Sequence, residues 1–284
     1  MSKLKPEQLI GANFAFQHFP FEKVAATLRE FGFRQMELWG IAPHLDLFHM
    51  SERKLDEVAR ILEDNDLTVR AYTPEQVLYP INIASGDPEL RHASIERFCR
   101  GADICARLGA DYLFLTPGRG FENEPMEDAW ARSVEAISRI AEYAKSLGIR
   151  CLIEPLQRTE SNIVTDVSGL KRMFDEIGAD NIDIVLDLVA MATAGDSVAD
   201  YTAFFGNRLV HVHIVDGTPS GHLVWGDGNL PLGQYLRELG EAGFSGTLTF
   251  EPLGQASYAL DPVAAWKRNL EAVRPWFDDA GQGA

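Results

Sequence analysis

Four residues that chemistry can use stand where apolar runs end: Glu154 in LIEPL, Asp187 in VLDL, His213 in HVHIVD and Glu251 in TFEPL. They are separated by 33, 26 and 38 residues, each close to the roughly 30 residues of one strand-helix unit. Four neighbouring strands would then each deliver one donor to the same rim. Strand alternation supports this, because Leu152 shares a face with Glu154, Val185 with Asp187, His211 with His213 and Thr249 with Glu251. Three carboxylates gathered in a low-dielectric site repel, and either take up protons or bind a cation. Three oxygen donors and one imidazole suit one divalent ion: manganese, which is favoured, magnesium, cobalt, iron or zinc.

The repeated Glu-Pro-Leu is the feature with mechanistic content. A sugar bound to such an ion through neighbouring oxygens would have its carbonyl polarised and the adjacent C–H acidified. Glu154 removing the proton on one face and Glu251 returning one on the other, or the reverse, would invert that carbon.

The elements that must position these residues are legible as an alternation. IGANFAF, FRQMELWG, TVRAYTPE, DYLFLTPG, RCLIEPL, IDIVLDL, LVHVHIVD and GTLTFEPLG read as strands. Between them lie amphipathic stretches such as residues 21–32, 51–65 and 126–148, with a serine suited to an N-cap before the second and glycines closing the first and third. No linker or low-complexity tract interrupts the rhythm, so residues 1–284 read as a single domain, an α/β chain whose eight units fit a (β/α)8 TIM barrel. A dinucleotide-binding sheet is disfavoured because the first strand runs into FAFQHFPF without a G-x-G-x-x-G. GDGNLPLG reads as turn chemistry.

Composition narrows the partners. With 284 residues and 46% hydrophobic content the chain can bury a large core. A net charge of −16 repels a phosphate backbone, which argues against nucleic acid. No apolar run approaches the roughly 20 residues needed to cross a bilayer, and MSKLKPEQLI lacks an apolar signal core, so the expectation is a cytoplasmic protein without a membrane partner. Cys99, Cys105 and Cys151 read as reduced, buried thiols.

The chain resembles the sugar isomerase/epimerase superfamily that shares the xylose isomerase-like TIM barrel, and within it the fructoselysine 3-epimerases. The likeness covers nearly the whole chain and is carried by ELWGIAPH (37–44), AYTPEQVLYPIN (71–82), IEPLQRTESN (153–162), the Asp187 strand end, HVHIVDG (211–217) and GDGNLPL (226–232). It implies Glu154, Asp187, His213 and Glu251 as metal ligands, with Glu154 and Glu251 as the acid/base pair. It implies that Glu160 hydrogen-bonds substrate hydroxyls and that His222 contacts substrate. It further implies a small-molecule sugar substrate, with C3 epimerisation of a ketose or ketosamine favoured, and a homo-oligomer, dimeric or tetrameric. Ala190 stands where many ketose 3-epimerases carry a histidine, which weakens a free-ketose reading. Aldose-ketose isomerisation and keto-inositol dehydration are the near alternatives; an abasic-site endonuclease and a non-catalytic sugar-binding barrel are the distant ones.

Other residues have two readings each. Glu37 and Trp39 alternate inward on the second strand with His44 just beyond, so Trp39 and His44 are expected to meet substrate, against a buried polar network as the plain alternative. His211, two residues before His213, reads as a hydrogen-bonded core histidine. Asp216 either orients a ligand or caps a turn. Arg158 and Glu160 read plainly as a surface ion pair in their loop, and Arg119 as a solvated loop arginine against contact with an anionic substrate group; without a phosphate clamp the substrate is expected to be unphosphorylated.

Overall fold

The computed structural model describes residues 4–253 and 257–277. Each apolar run becomes a strand: β1 Gly11–Ala12, β2 Gln35–Gly40, β3 Thr68–Pro74, β4 Tyr112–Leu115, β5 Arg150–Ile153, β6 Ile182–Asp187, β7 Leu209–Ile214 and β8 Thr247–Phe250. They lie in sequence order in one eight-stranded sheet, and every neighbouring pair is parallel. The sheet curls almost to closure. Ile10 N donates to Leu248 O at 2.8 Å, and Leu9 bridges Leu248 in parallel. The result is the (β/α)8 TIM barrel that the alternation predicts. Gly254, the last residue of the GTLTFEPLG reading, lies outside the described residues.

The helices are α1 Phe21–Glu30, α2 Glu52–Asp64, α3 Pro88–Leu108, α4 Met126–Ser146, α5 Val167–Ile177, α6 Leu188–Ala194, α7 Val198–Phe205, α8 Leu232–Glu241 and α9 Pro262–Val273. The Ser51 hydroxyl caps α2 by accepting from Lys54 N. Gly32 and Gly148, just past α1 and α4, take φ of +90° and +77°, a left-handed turn that costs glycine nothing.

Two apolar layers follow from strand alternation. Outward side chains pack against the helices in the main core. Inward ones form a smaller plug of Ala71, Tyr112, Phe114, Leu152 and Val185, since an eight-stranded barrel is only wide enough inside for side chains. Glu154, Asp187 and Thr116 each stand two residues beyond a plug residue, so the plug is the floor of whatever opens at the strand ends.

The first strand departs from the expected IGANFAF. It stops at Ala12 because Phe16 N turns back to Asn13 O and Ala15 adopts φ of +70°. The Asn13 side chain replaces the missing ladder: its Oδ1 accepts from Trp39 N at 2.6 Å and its Nδ2 donates to Trp39 O at 2.9 Å.

Candidate active site

Glu154 and Glu251 are the first residues past β5 and β8, and both precede a proline. Proline disfavours helical geometry in the residue before it and cannot donate to a ladder. Each strand therefore ends after presenting its glutamate in extended phase, with Glu154 N bonded to Leu115 O and Glu251 N to Ile214 O. Asp187 closes β6 and also caps α6, one carboxylate oxygen accepting from Ala190 N. His213 comes from β7.

Glu154, Asp187, His213 and Glu251 each bring one donor atom to within 4.8 Å of the other three, and all four side chains are buried. His213 Nδ1 stands 2.9 Å from Glu154 Oε1 and 3.1 Å from Glu251 Oε2. The opposite ring nitrogen, Nε2, is 3.0 Å from Glu37 Oε2. Burial opposes ionisation of Glu37, but His213 and His211 hold its carboxyl far below the usual range. An ionised Glu37 only accepts, so Nε2 carries the proton it shares, and whenever the ring is neutral its Nδ1 lone pair faces two carboxylates.

That arrangement needs a positive charge at its centre. Glu154 Oε1, Asp187 Oδ2 and His213 Nδ1 are buried without a hydrogen-bond partner among the described residues, the pattern of donors converging on a common cation. Protons are the substitute. Burial raises Glu154 to about 8 despite His213, and raises Asp187 to about 6 despite His222. Burial also works against the charged forms of Glu251 and His213, yet their mutual attraction lowers the Glu251 pKa and raises that of His213. The donor set, the burial and the orphaned atoms fit one divalent ion.

Above the cluster opens a cavity of about 300 Å³ walled by Phe14, Trp39, Phe114, Glu160, His222 and Leu253, among others. Phe114 stacks in parallel with the His213 ring at 5.5 Å. Trp39 is held by donating its indole N–H to Glu75 Oε2 at 2.9 Å. His222 arrives on the loop after β7, with Nε2 3.5 Å from Glu251 Oε2 and Nδ1 3.9 Å from Glu160 Oε1. Burial lowers its basicity, but the Glu251, Asp187 and Glu160 carboxylates outweigh it and raise its pKa. Burial likewise raises Glu160.

Trp39, Glu160 and His222 thus stand in the cavity wall, and His44 does not. Its Nδ1 meets Asn13 Nδ2 at 2.8 Å and its Nε2 meets Phe19 O at 2.9 Å, so both nitrogens are occupied and the ring is 1% exposed. His211 bridges Glu37 and Thr247 inside the barrel. Asp216 never meets His213. Its carboxylate accepts from the backbone of Gly217, Gly226, Gly228 and Leu230 and so fixes the loop that carries His222. Arg119 and Arg158 both pair with Glu122. Glu75 and Asn13 were not singled out from the sequence; alternation along Ala71, Thr73 and Glu75 places Glu75 inward, whereas nothing in the pattern marks Asn13.

Residues 25–276 match the model of a family described as xylose isomerase-like TIM barrel. The chain belongs to that family. Within this family of barrels, fructoselysine 3-epimerase of Escherichia coli O157:H7 is 26% identical over 260 residues, covering 91% of this chain and 94% of that one. L-Ribulose 3-epimerase of Methylomonas sp. (strain DH-1) is 31% identical, covering 70% and 66%. The apo structure of a 3-keto-D-glucoside 4-epimerase from E. coli superimposes with a TM-score of 0.79 at 18% identity, covering 94% of this chain and 99% of that one, a likeness of fold.

Proposed function

We propose that this chain, a carbohydrate isomerase, inverts C3 of a ketose or ketosamine with one divalent ion, manganese favoured, held by Glu154, Asp187, His213 and Glu251. The observation that carries the reading is the placement of two buried glutamates within 2.9 and 3.1 Å of the same His213 nitrogen. Kinship with sugar 3-epimerases supports the reaction class. The ion, when bound, polarises the sugar carbonyl and makes the neighbouring C–H acidic.

The protein supplies the proton traffic. One of the two glutamates, whichever enters the cycle ionised, takes the C3 proton, and the other, entering protonated, delivers a proton to the opposite face. Product release leaves the roles exchanged, so either epimer is a substrate. Glu37 keeps the His213 ring in one tautomer and one orientation. Glu160 and His222 hold substrate hydroxyls beside Glu251, while Phe14, Trp39 and Phe114 exclude water from the carbon being inverted. Residues 1–284 act as one domain in this reading.

The test is incubation with fructoselysine, psicose, tagatose and pentuloses in heavy water with manganese. Deuterium at C3 together with a mass-neutral epimer is the expected result. Absence of deuterium at every carbon next to a carbonyl rejects the reading, and loss of water by mass reassigns the chain to dehydration.

A further inference from the structure

We propose that Gln157 is a positioning residue that sets Glu160 and His222 as a pair against the substrate, an assignment that rests on the epimerase reading above. Glu160 and His222 come from different loops, after β5 and after β7, and they meet loosely, with His222 Nδ1 3.9 Å from Glu160 Oε1. That separation is too long for a hydrogen bond, so the pair does not fix its own geometry. The two loops must be held in register from elsewhere.

The Gln157 side chain spans the gap from behind. Its Oε1 accepts from Gly221 N, beside His222 in the chain, at 3.3 Å. Its Nε2 donates at 3.4 Å to Glu160 Oε1, the same oxygen that His222 approaches. A backbone N–H only donates, so Gly221 decides which end of the carboxamide is oxygen and leaves the NH2 group for Glu160. The Gln157 backbone tightens the same joint. Its N–H donates to Glu160 Oε2 at 3.1 Å, and its carbonyl accepts from Glu160 N at 2.8 Å and Ser161 N at 3.0 Å. Gln157 thus touches both oxygens of one substrate-facing side chain and the backbone next to the other. It is buried, so water does not compete freely for these bonds.

The rest of the His222 loop is anchored apart from this joint. Asp216 gathers the amides of Gly217, Gly226, Gly228 and Leu230, while the Tyr258 hydroxyl and Asn269 Oδ1 hold Val224 N and Trp225 N. Between those anchors, Gly221 N is where the apex of the loop reaches the loop after β5. Among the described residues Gln157 bonds to none of Glu154, Asp187, His213 and Glu251, so releasing it moves the substrate's hydroxyl partners and leaves the ion's donors in place.

The experiment compares the manganese-loaded parent with Gln157→Met, which keeps the volume and removes the side-chain hydrogen bonds, and with Gln157→Asn, which keeps a carboxamide one methylene too short to span both partners. Amide exchange over residues 217–223, followed by mass spectrometry, is expected to quicken about three- to tenfold in both variants, the cost of one lost hydrogen bond. On whichever of fructoselysine, psicose, tagatose and the pentuloses the parent turns over, kcat is expected to fall about ten- to a hundredfold with a smaller change in KM, because misplacement acts on the transition state. Manganese affinity should not change. In a chain already carrying His222→Ala, Gln157→Met is expected to cost at most about threefold in kcat, since the pair that it sets no longer exists. Unchanged exchange or unchanged kcat overturns the proposal. So does a loss of kcat that persists in full beside His222→Ala, which makes the role of Gln157 structural only. If the parent turns over none of these sugars, the epimerase reading falls, while quickened exchange still upholds the tether between the two loops and unchanged exchange still overturns it.

Discussion

Strand β6 carries two buried aspartates four residues apart on the same inward face, and their surroundings are opposite. Asp183, at the bottom of the barrel, accepts from the Arg150 Nε and Nη2 groups and from Arg208 Nη1. Asp187, at the top, has Ala190 N as its one donor among the described residues, which leave Oδ2 without a partner. The lower carboxylate is balanced by its own protein, whereas the upper one shares its space with Glu154 and Glu251 and waits for charge from elsewhere. The same strand therefore spends one acid on stability and the other on function, and the two respond oppositely to neutralisation.

The largest effect expected is on turnover. Glu154→Gln or Glu251→Gln should lower kcat on a ketose by roughly a thousandfold, within the range for loss of a general acid or base. The melting temperature of metal-free Glu154→Gln should not fall, because burial already disfavours that charge, whereas Glu251→Gln should lower it, since burial is outweighed at Glu251 by its attraction to His213 and His222. A thermal scan beside the kinetics checks both halves. At the other end of β6, Asp183→Asn should cost about 2–3 kcal/mol of stability in urea titration, the lower end for a broken buried pair because both arginines are partly exposed. Activity per folded molecule should survive. If Glu154→Gln and Asp183→Asn behaved alike, the contrast between the two ends would be lost.

Glu37→Gln sharpens the comparison, since it leaves the ligand set intact and weakens the bond that orients His213, along with the one to His211. Manganese affinity, measured by calorimetry, should fall 10- to 100-fold, the usual cost of losing a partner that orients a ligand. The smallest effect is the pH dependence of metal-free stability. Glu154 and Asp187 have pKa values raised to about 8 and about 6 from 4.5 and 3.8. The folded protein then binds more protons than the unfolded chain between these limits, so stability should decline as pH rises from about 4 to about 8. Saturating manganese should remove most of that slope, because a bound ion replaces the protons. Urea titrations at pH 5 and pH 8, with and without the ion, decide it.

How much of this is visible in the sequence depends on the range of the interaction. The strand rhythm and the inward phase of Leu152, Val185, His211 and Thr249 are local patterns, and they are enough to bring Glu154, Asp187, His213 and Glu251 together. Long-range exchanges of partners are not. Asn13 ends β1 early because its amide does the work of a backbone pair with Trp39, a contact across 26 residues. His44 follows the inward-facing Trp39 in sequence, yet Asn13 and Phe19 O claim both its nitrogens and keep it out of the cavity. The partner of His213 comes from β2 across the barrel and not from nearby Asp216, whose short reach suits the glycine-rich loop amides instead. Spacing along one chain reports faces and periods; it does not report which of two acids a ring nitrogen will meet.

The central claim is that the orphaned donors at the top of β5 to β8 converge on one dication. Crystals soaked in manganese and measured near its absorption edge test it most directly. The account predicts one strong anomalous peak per chain within coordinating distance of Glu154, Asp187, His213 and Glu251, with Nε2 of His213 still bonded to Glu37. No peak among these four residues, or a peak at another acidic cluster with these four left protonated, would contradict it.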